Sequence, residues 1–467
     1  MRYVKNILFL LTFLSTYFIQ AQCENLSWNA DINSICGESV MTMIHDQKDR
    51  PYLYVASKEG GLKVFDISIL SAPQALSWVS ISALHGLHVM NITQVDTLLF
   101  LALGNHFTNP SGSAMAIVSV NDPANPNVLD IYDVPNSGSG GGAVAVEGDY
   151  AYFAAMKSGL YILNVSDPRN IIYESHYYPD IHYPTPNPSN LDLYNIRGLV
   201  VRNSIVYSCF DAGGIRIINC TNKSNPIQTG RYANPALFQP FNLPRAYNNV
   251  VLKDSLLFVA VDYCGVEILN IADTSNISLH GWWNPYNCPN NNWFSSPSHA
   301  NELHLDSVSN SLFVSTGKSD LVVLDVTDPS QPDSCSFYGG TTNNIGTWGV
   351  GLYQDQVYLS YICTLGIPFA SNWSGVKILS RSQLTSSETQ SKPSFSLYPN
   401  PSNRSLTIEG LENKLYDASI FDSSGRLLKK IMSTSSNSID VSNLERGNYF
   451  LMIEKGLTQA VLPFVKY

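Results

Sequence analysis

The stretch GLYILNVSDP, residues Gly159 to Pro168, decides how the chain is read, because copies of it recur along most of its length. Leu160, Ile162 and Val165 are apolar, and Asn164 sits near the exit. Ser166, Asp167 and Pro168 then form a turn in which Asp bonds its own backbone and Pro fixes φ. Just upstream, Asp149 to Ala155 is a second β-rich run, joined through Lys157, Ser158 and Gly159, so the two read as an antiparallel hairpin. Ala143 to Val146 supplies a third strand and Ile171 to Tyr177 a fourth, and four short antiparallel strands make one propeller blade. The positions equivalent to Asn164 are Asp66, Ser119, Asn219, Asn270, Asp325 and Ser380, spaced 45 to 55 residues apart. Blade repeats have periods of roughly 40 to 50 residues, and no segment shows sustained helical periodicity. The expected fold is therefore all-β, a seven-bladed β-propeller.

The strings GLKVFDIS (61–68), AIVSVNDPANP (116–126), GIRIINCTNKSNP (214–226), GVEILNIAD (265–273) and DLVVLDVTDPSQP (320–332), with the opening stretch, resemble the bacterial LVIVD repeat. The resemblance covers about three quarters of the chain, although the seventh copy, GVKILS (375–380), has lost the Asp-Pro turn. It implies a β-propeller and brings no general catalytic activity with it.

A polar run, SRSQLTSSETQSK (380–392), reads as a linker. Beyond it, alternating runs at 405–411, 417–431, 438–454 and 462–467, with tight turns at Ser424-Gly425 and Arg446-Gly447, indicate a small Ig-like β-sandwich. Four elements of this tail resemble the type A C-terminal sorting domain of the type IX (Por) secretion system of Bacteroidetes. They are Tyr398, Pro399, Asn400 and Pro401; the FDSSGRLL hairpin with Gly425; the LERGNYFLMI element with Gly447 and Tyr449; and the last strand ending in Lys466. The resemblance implies passage across the outer membrane and a partner in that secretion machinery.

At the other end, Arg2 and Lys5 precede an apolar run from Ile7 to Phe18 that finishes in Gln20, Ala21 and Gln22, the pattern of a secretory signal peptide. The run is short of the roughly 20 apolar residues a spanning helix needs, and the sequence contains no second one. Cys23 raises a lipoprotein alternative, against which Gln22 argues. The expected organisation is a signal peptide (1–22), a propeller (23–380), a linker (381–393) and a sorting domain (394–467), with no transmembrane segment in the mature chain. The product would be secreted or held at the outer cell surface after passing through the periplasm.

Charged residues make up only 14% and the net charge is −10, without any Lys or Arg cluster, which excludes a nucleic-acid footprint. Eight cysteines in an exported chain permit disulfides. Cys23 and Cys36 are close enough to staple the mature N-terminus, while Cys209, Cys220, Cys264, Cys288, Cys335 and Cys363 are spread over blades four to seven. NLSW at Asn25 to Trp28 matches ALSW at Ala75 to Trp78, an outer strand, and the last blade lacks one. The N-terminal strand is therefore expected to complete blade seven and remove two exposed sheet edges.

Propellers bind at the mouth of the central channel, lined by the starts of the innermost strands. Those starts nominate His85, Arg197, Arg245, His299, Asn301, Glu302 and Trp348. His85 with His88 and His299 with His304 invite a metal hypothesis, but residues three or five apart on a strand face opposite ways, so no metal or other cofactor is expected. The cluster Gly138 to Gly142 is followed by a strand, not the helix a phosphate cradle needs. No GxSxG, HExxH or DxDxDG motif is present, so no catalytic residue is nominated. Thr97, Ser255 and Ser307, each after an Asp and before an apolar residue, resemble O-glycosylation sites of exported Bacteroidetes proteins. A plain Asp turn explains the recurrence as well. The favoured reading is a binding or interaction scaffold for an extracellular glycan, peptide or protein. The alternative is a propeller hydrolase or lyase acting on extracellular polymer, and a purely structural adhesin is a third.

Overall fold

The computed structural model describes residues 24–105, 111–237, 246–294, 296–317, 319–339, 345–363, 371–383, 396–409, 415–422, 426–455 and 458–467. The expected signal peptide, Cys23, Arg245 and Gly425 lie outside them. The chain divides into two compact units, Met1–Leu384 and Thr385–Tyr467.

Among the described residues the first unit holds seven four-stranded antiparallel sheets, each ordered from an inner to an outer strand. Blade three shows the pattern, with strands Ala143–Glu147, Tyr150–Ala154, Leu160–Asn164 and Ile172–Tyr177 in sequence order. Its two middle strands are buried on both faces, whereas the outer strand is mostly exposed. Double-sided burial is why the motif reads as an almost continuous apolar run. Successive side chains feed different cores, Tyr152 packing with blade four and Phe153 with blade two. The described residues form seven such interblade cores. The seventh joins Val376 and Ile378 of the last blade to Leu53 and Val55 of the first, so the sheets form a closed ring.

The exit of blades two to six is a pair of side-chain turns, and blade one keeps the first of them at Asp66. In blade three Asn164 Oδ1 accepts from Ser166 N at 3.0 Å and Asp167 Oδ1 from Arg169 N at 3.0 Å. Asn270 and Asp273 repeat this in blade five, and Asp325 and Asp328 in blade six. These turns send the chain back to lay down its own outer strand. Ser380 has no such carboxylate or amide. The strand Ser374–Gln383 runs on through it, three residues into the expected linker, and pairs with Glu24–Ser34. The N-terminal segment thus closes blade seven. Its register differs from the NLSW–ALSW match: Trp78 faces Lys63 in blade one, but Asp31, not Trp28, faces the equivalent Lys377.

Cys36 bonds Cys363 across the same closure rather than Cys23, because the chain leaving the clasp strand passes the end of strand Gln356–Ile362. A second disulfide joins Cys264 to Cys288, while Cys209 and Cys220 are buried thiols.

The second unit is a sandwich of a three-stranded sheet (Ser396–Tyr398, Ser405–Glu409, Ser438–Asp440) and a four-stranded one. The latter is ordered Leu427–Thr434, Tyr416–Asp422, Gly447–Lys455, Thr458–Lys466. Leu406, Ile408, Ile420, Leu451, Ile453 and Phe464 fill the space between them.

Candidate functional site: the channel and the loop-bearing face

Residues at or just before the start of each inner strand look into the central channel. Equivalent backbone bonds align them: Met41 N to Ala56 O, Gly142 N to Ala154 O, Arg197 N to Cys209 O, Asn248 N to Ala260 O and Asn301 N to Ser315 O. The lining is Met41, Met90, Gly142, Arg197, Asn248, Asn301 and Trp348, their chain neighbours Asn91, Ala143, Gly198, Asn249 and Glu302, and Met156. Arg197, Asn301, Glu302 and Trp348 are therefore at the axis, as their positions in the strands indicate. The cavity is narrow, about 50 Å³, which is space for a few waters.

The two expected histidines are elsewhere. His85 caps a 3-10 turn (Ile81–Leu84) in a left-handed conformation, φ 57°, and its exposed ring bonds Asp133 at 2.9 Å. The inner strand starts only at Val89, so the apolar spacing of HGLHV is that of an entry turn. His299 is buried in the segment entering blade six, where Nδ1 bonds Asp262 Oδ1, and Trp293 Nε1 donates to the other carboxylate oxygen at 3.0 Å. His304 lies inside the sheet, its pKa driven down to about 4 by burial. Met41, Met90, Asn91, Asn248 and Asn249 were not nominated, and alignment of the blade entries by their backbone bonds is what finds them.

Arg197 donates Nε to Asp211 Oδ2 at 3.0 Å, and Asn195 Nδ2 reaches the same oxygen at 2.9 Å. Burial raises the Asp211 pKa against the pull of Arg197. Asn248 and Asn301 each donate to the carbonyl of the next blade's entry segment, Ala300 O and Thr347 O, both at 2.9 Å. Glu302 accepts from Thr42 Oγ1 at 3.0 Å, and burial pushes its carboxyl up to about 8, so it carries a proton at neutral pH.

The hairpins between second and third strands share one face of the ring with the segments that lead from each outer strand to the next inner strand. Those segments are short before blades two and three (80–88, 134–142) and long before blades four and six (178–198, 284–302). The first long one is held from beneath by Arg216, which is fully buried. Its guanidinium donates to the carbonyls of Asp180 and Tyr183 at 3.0 Å and lies 4.9 Å from the Tyr183 ring centre, while Arg231 covers that ring at 4.3 Å. The second is tied by Cys264–Cys288 and by the Asp262 pair. Between them Glu267 accepts from Asn234 Nδ2 at 2.7 Å and Tyr247 Oη at 3.1 Å, with its carboxyl pushed up to about 7 by burial. Tyr178, Leu191, Tyr286 and Phe294 stand exposed on these two segments.

Thr97, Ser255 and Ser307 lie at the opposite ends of the strands, in first hairpins of blades two, five and six. Ser255 and Ser307 are exposed and Thr97 is half-buried.

In the tail, Asn400 Oδ1 accepts from Val465 N at 3.0 Å and Ser402 N donates to Val465 O at 2.8 Å, so the Tyr398–Pro401 motif is fastened to the last strand. Tyr398 itself is exposed. Gly447 opens its strand, and Tyr449 stacks on Phe464 at 5.5 Å and donates its hydroxyl to Glu445 O at 2.8 Å.

Residues 396–466 match the secretion system C-terminal sorting domain, and residues 51–79, 141–178 and 308–338 match the LVIVD repeat. No curated protein matches the chain. Among solved structures it resembles the computationally designed protein Ika8 (9% identity, 93% of this chain and 98% of the other, TM-score 0.46). It also resembles a chain of the Mitotic Checkpoint Complex (11% identity, 81% and 98%, TM-score 0.48). Likenesses this slight carry no functional meaning. No helix among the described residues is long and apolar enough to cross a membrane. The chain is an all-β propeller that carries three LVIVD repeat matches and ends in a match to the secretion system C-terminal sorting domain, which indicates type IX export to the cell surface or the medium.

Proposed function

We propose that the ring is an extracellular binding scaffold whose loop-bearing face engages a glycan, peptide or protein outside the cell. The observation that carries this reading is the pair of long segments before blades four and six. They expose Tyr178, Leu191, Tyr286 and Phe294, yet are anchored by Arg216 and by the Cys264–Cys288 disulfide. Ordered aromatic side chains offer contact area without the cost of freezing a mobile loop. The narrow channel supports a ligand lying across the mouth rather than within it, with Arg197 as the charged group at the rim.

A glycan and peptide array probed with the mature ring tests this. Binding should fall at least tenfold in Tyr178→Ala or Phe294→Ala with the fold unchanged, whereas hydrolysis of an array polymer would favour the enzyme reading. Cleavage after Gln22 and export through residues 394–467 belong to the same proposal. A chain lacking 394–467 should fold and remain in the periplasm, and its appearance in the medium would make the tail dispensable for export.

A further inference from the structure

The tail is a sandwich of two sheets, so each sheet turns one face to the core and one face outward. Alternation along each strand decides which residues go where. In Gly447–Lys455, Tyr449, Leu451 and Ile453 belong to the core, so Asn448, Phe450 and Met452 lie on the other face. In Tyr416–Asp422, Ala418 and Ile420 are core residues, which turns Ser419 and Phe421 outward. The ladder sets these outward residues side by side. Leu427 opposes Phe421, which in turn opposes Phe450; Lys430 opposes Ser419, which opposes Met452. Val465 of the last strand opposes Asn448. Leu427, Phe421 and Phe450 therefore form one cross-strand apolar row, flanked by Met452 and Val465. Leu427 and Phe450 are 49% and 41% exposed, so the domain itself does not cover the row.

The other sheet gives the contrast. There Leu397, Leu406, Ile408 and Ile439 go to the core, and the outward pairs are Ser396 with Glu409, Tyr398 with Thr407, Thr407 with Ser438 and Ser405 with Asp440. Apart from Tyr398 that face is polar among the described residues, as the outside of a sandwich ordinarily is. An apolar run without polar alternation, such as Tyr449 to Ile453, is the pattern of a strand covered on both sides. One cover is the three-stranded sheet; the domain supplies no second. A contiguous apolar patch with an exposed charge, Lys430, at its border has the anatomy of a surface that a partner buries.

The domain match names the occupant. Residues 396–466 match the secretion system C-terminal sorting domain, so the export machinery has to recognise some surface of this small sandwich. Phe421 and Leu427 come from the FDSSGRLL element and Phe450 from LERGNYFLMI, and neither phenylalanine belongs to the core.

We propose that the row Leu427, Phe421 and Phe450 is the surface by which the type IX machinery recognises the tail, docking an apolar patch of its own against it. The inference rests on the reading of residues 394–467 as the export signal and names the part of that domain that is read. The test is export of the full chain in a host with the type IX pathway, measured as the ratio of extracellular to periplasmic protein. Phe450→Lys and Leu427→Lys should each lower that ratio about tenfold, because a charge at the centre of a desolvated contact has no partner there. Phe450→Leu keeps the apolar contact and Ser438→Lys puts the same charge on the polar sheet, so both should stay within about twofold of the parent. Variant chain recovered from the periplasm should melt at the parental temperature, and where a Lys variant unfolds the tail, Phe450→Ser takes its place. Parental export in the folded Phe450 and Leu427 variants overturns the proposal, as does an equal loss in Ser438→Lys. So does a dimer in sedimentation that Phe450→Lys dissociates, which would make the occupant a second copy of the chain. Parental export of a chain lacking 394–467 would sink the sorting reading itself, whereas dependence on that segment with indifference to Phe450 and Leu427 would sink only this face.

Discussion

Blades one to six are each cut from one continuous run of chain, whereas blade seven is assembled from both ends of it. In the continuous blades one or two side-chain turns at the exit of the third strand fold the chain back on its own sheet. In blade seven that signal is missing, the third strand continues to Gln383, and the vacant edge is filled by residues 24–34 over ten residue pairs. Local turn chemistry therefore specifies a blade, and its omission specifies where the ring closes. The continuous blades have short-range pairings, while closure brings together residues 340 to 359 apart and carries the larger loop-closure cost.

The largest effect should come from attacking that difference directly. Removing residues 24–34 takes away the ladder and the burial of Ala30 and Ile32, and should cost at least several kcal/mol or abolish cooperative unfolding in urea. A synthetic 24–34 peptide added in trans should restore part of it; a truncated ring with an unchanged midpoint would mean the clasp is decorative.

Next in size is the contrast between the two disulfides. Cys36–Cys363 closes a loop of 327 residues and Cys264–Cys288 one of 24. Loop entropy makes loss of the first about 2 kcal/mol more costly than loss of the second. Paired Cys→Ser variants compared in denaturant measure the difference, and equal losses would show that the clasp strand alone determines closure.

A continuous blade supplies the third test. The Glu267 carboxyl of blade five is neutral in the folded state up to about pH 7, above its ordinary 4.5, because it is buried. Its contribution to stability is present at acid pH and is lost as the pH rises through 7, since the unfolded chain binds fewer protons there. Between pH 5 and 8 the protein should lose about 2 kcal/mol that Glu267→Gln does not lose. Parallel curves for the two proteins would place the titration elsewhere.

The smallest effect belongs to the seam. Arg381 reaches Asp306 of blade six at 2.7 Å and Glu24 of the clasp at 3.4 Å. Arg381→Ala should cost about 1 kcal/mol. The loss should shrink when residues 24–34 are also absent, a coupling that a double-mutant cycle resolves.

The blade pattern was legible because turn residues and apolar runs are local facts, and Ser380 already showed where the pattern failed. Arg197, Asn301, Glu302 and Trp348 were legible for the same reason, each lying at the start of an inner strand. His85 and His299 were placed at the axis in error because spacing alone does not distinguish the first residue of a strand from an entry turn, and a shift of one residue reverses which way a side chain points. The contact of Asp31 with Lys377 could not be read at all, because only the closed ring brings the two chain ends together.

Glu24 lies opposite Gln383, so the beginning and the end of the ring emerge at one corner. Strand Gln356–Ile362 pairs with the last blade's third strand only as far as Ser380, and beyond it Arg381 N still bonds Asp355 O at 2.7 Å, while Ser382 and Gln383 pair with the clasp. A pull applied through the tail by an export machine is therefore felt first by the pairs Gln383–Glu24 and Ser382–Asn25 between the two chain ends, before any complete blade bears load. Force on the tail and the integrity of the ring are mechanically linked at that corner, and single-molecule extension from residue 384 should show the clasp yielding as the first rupture.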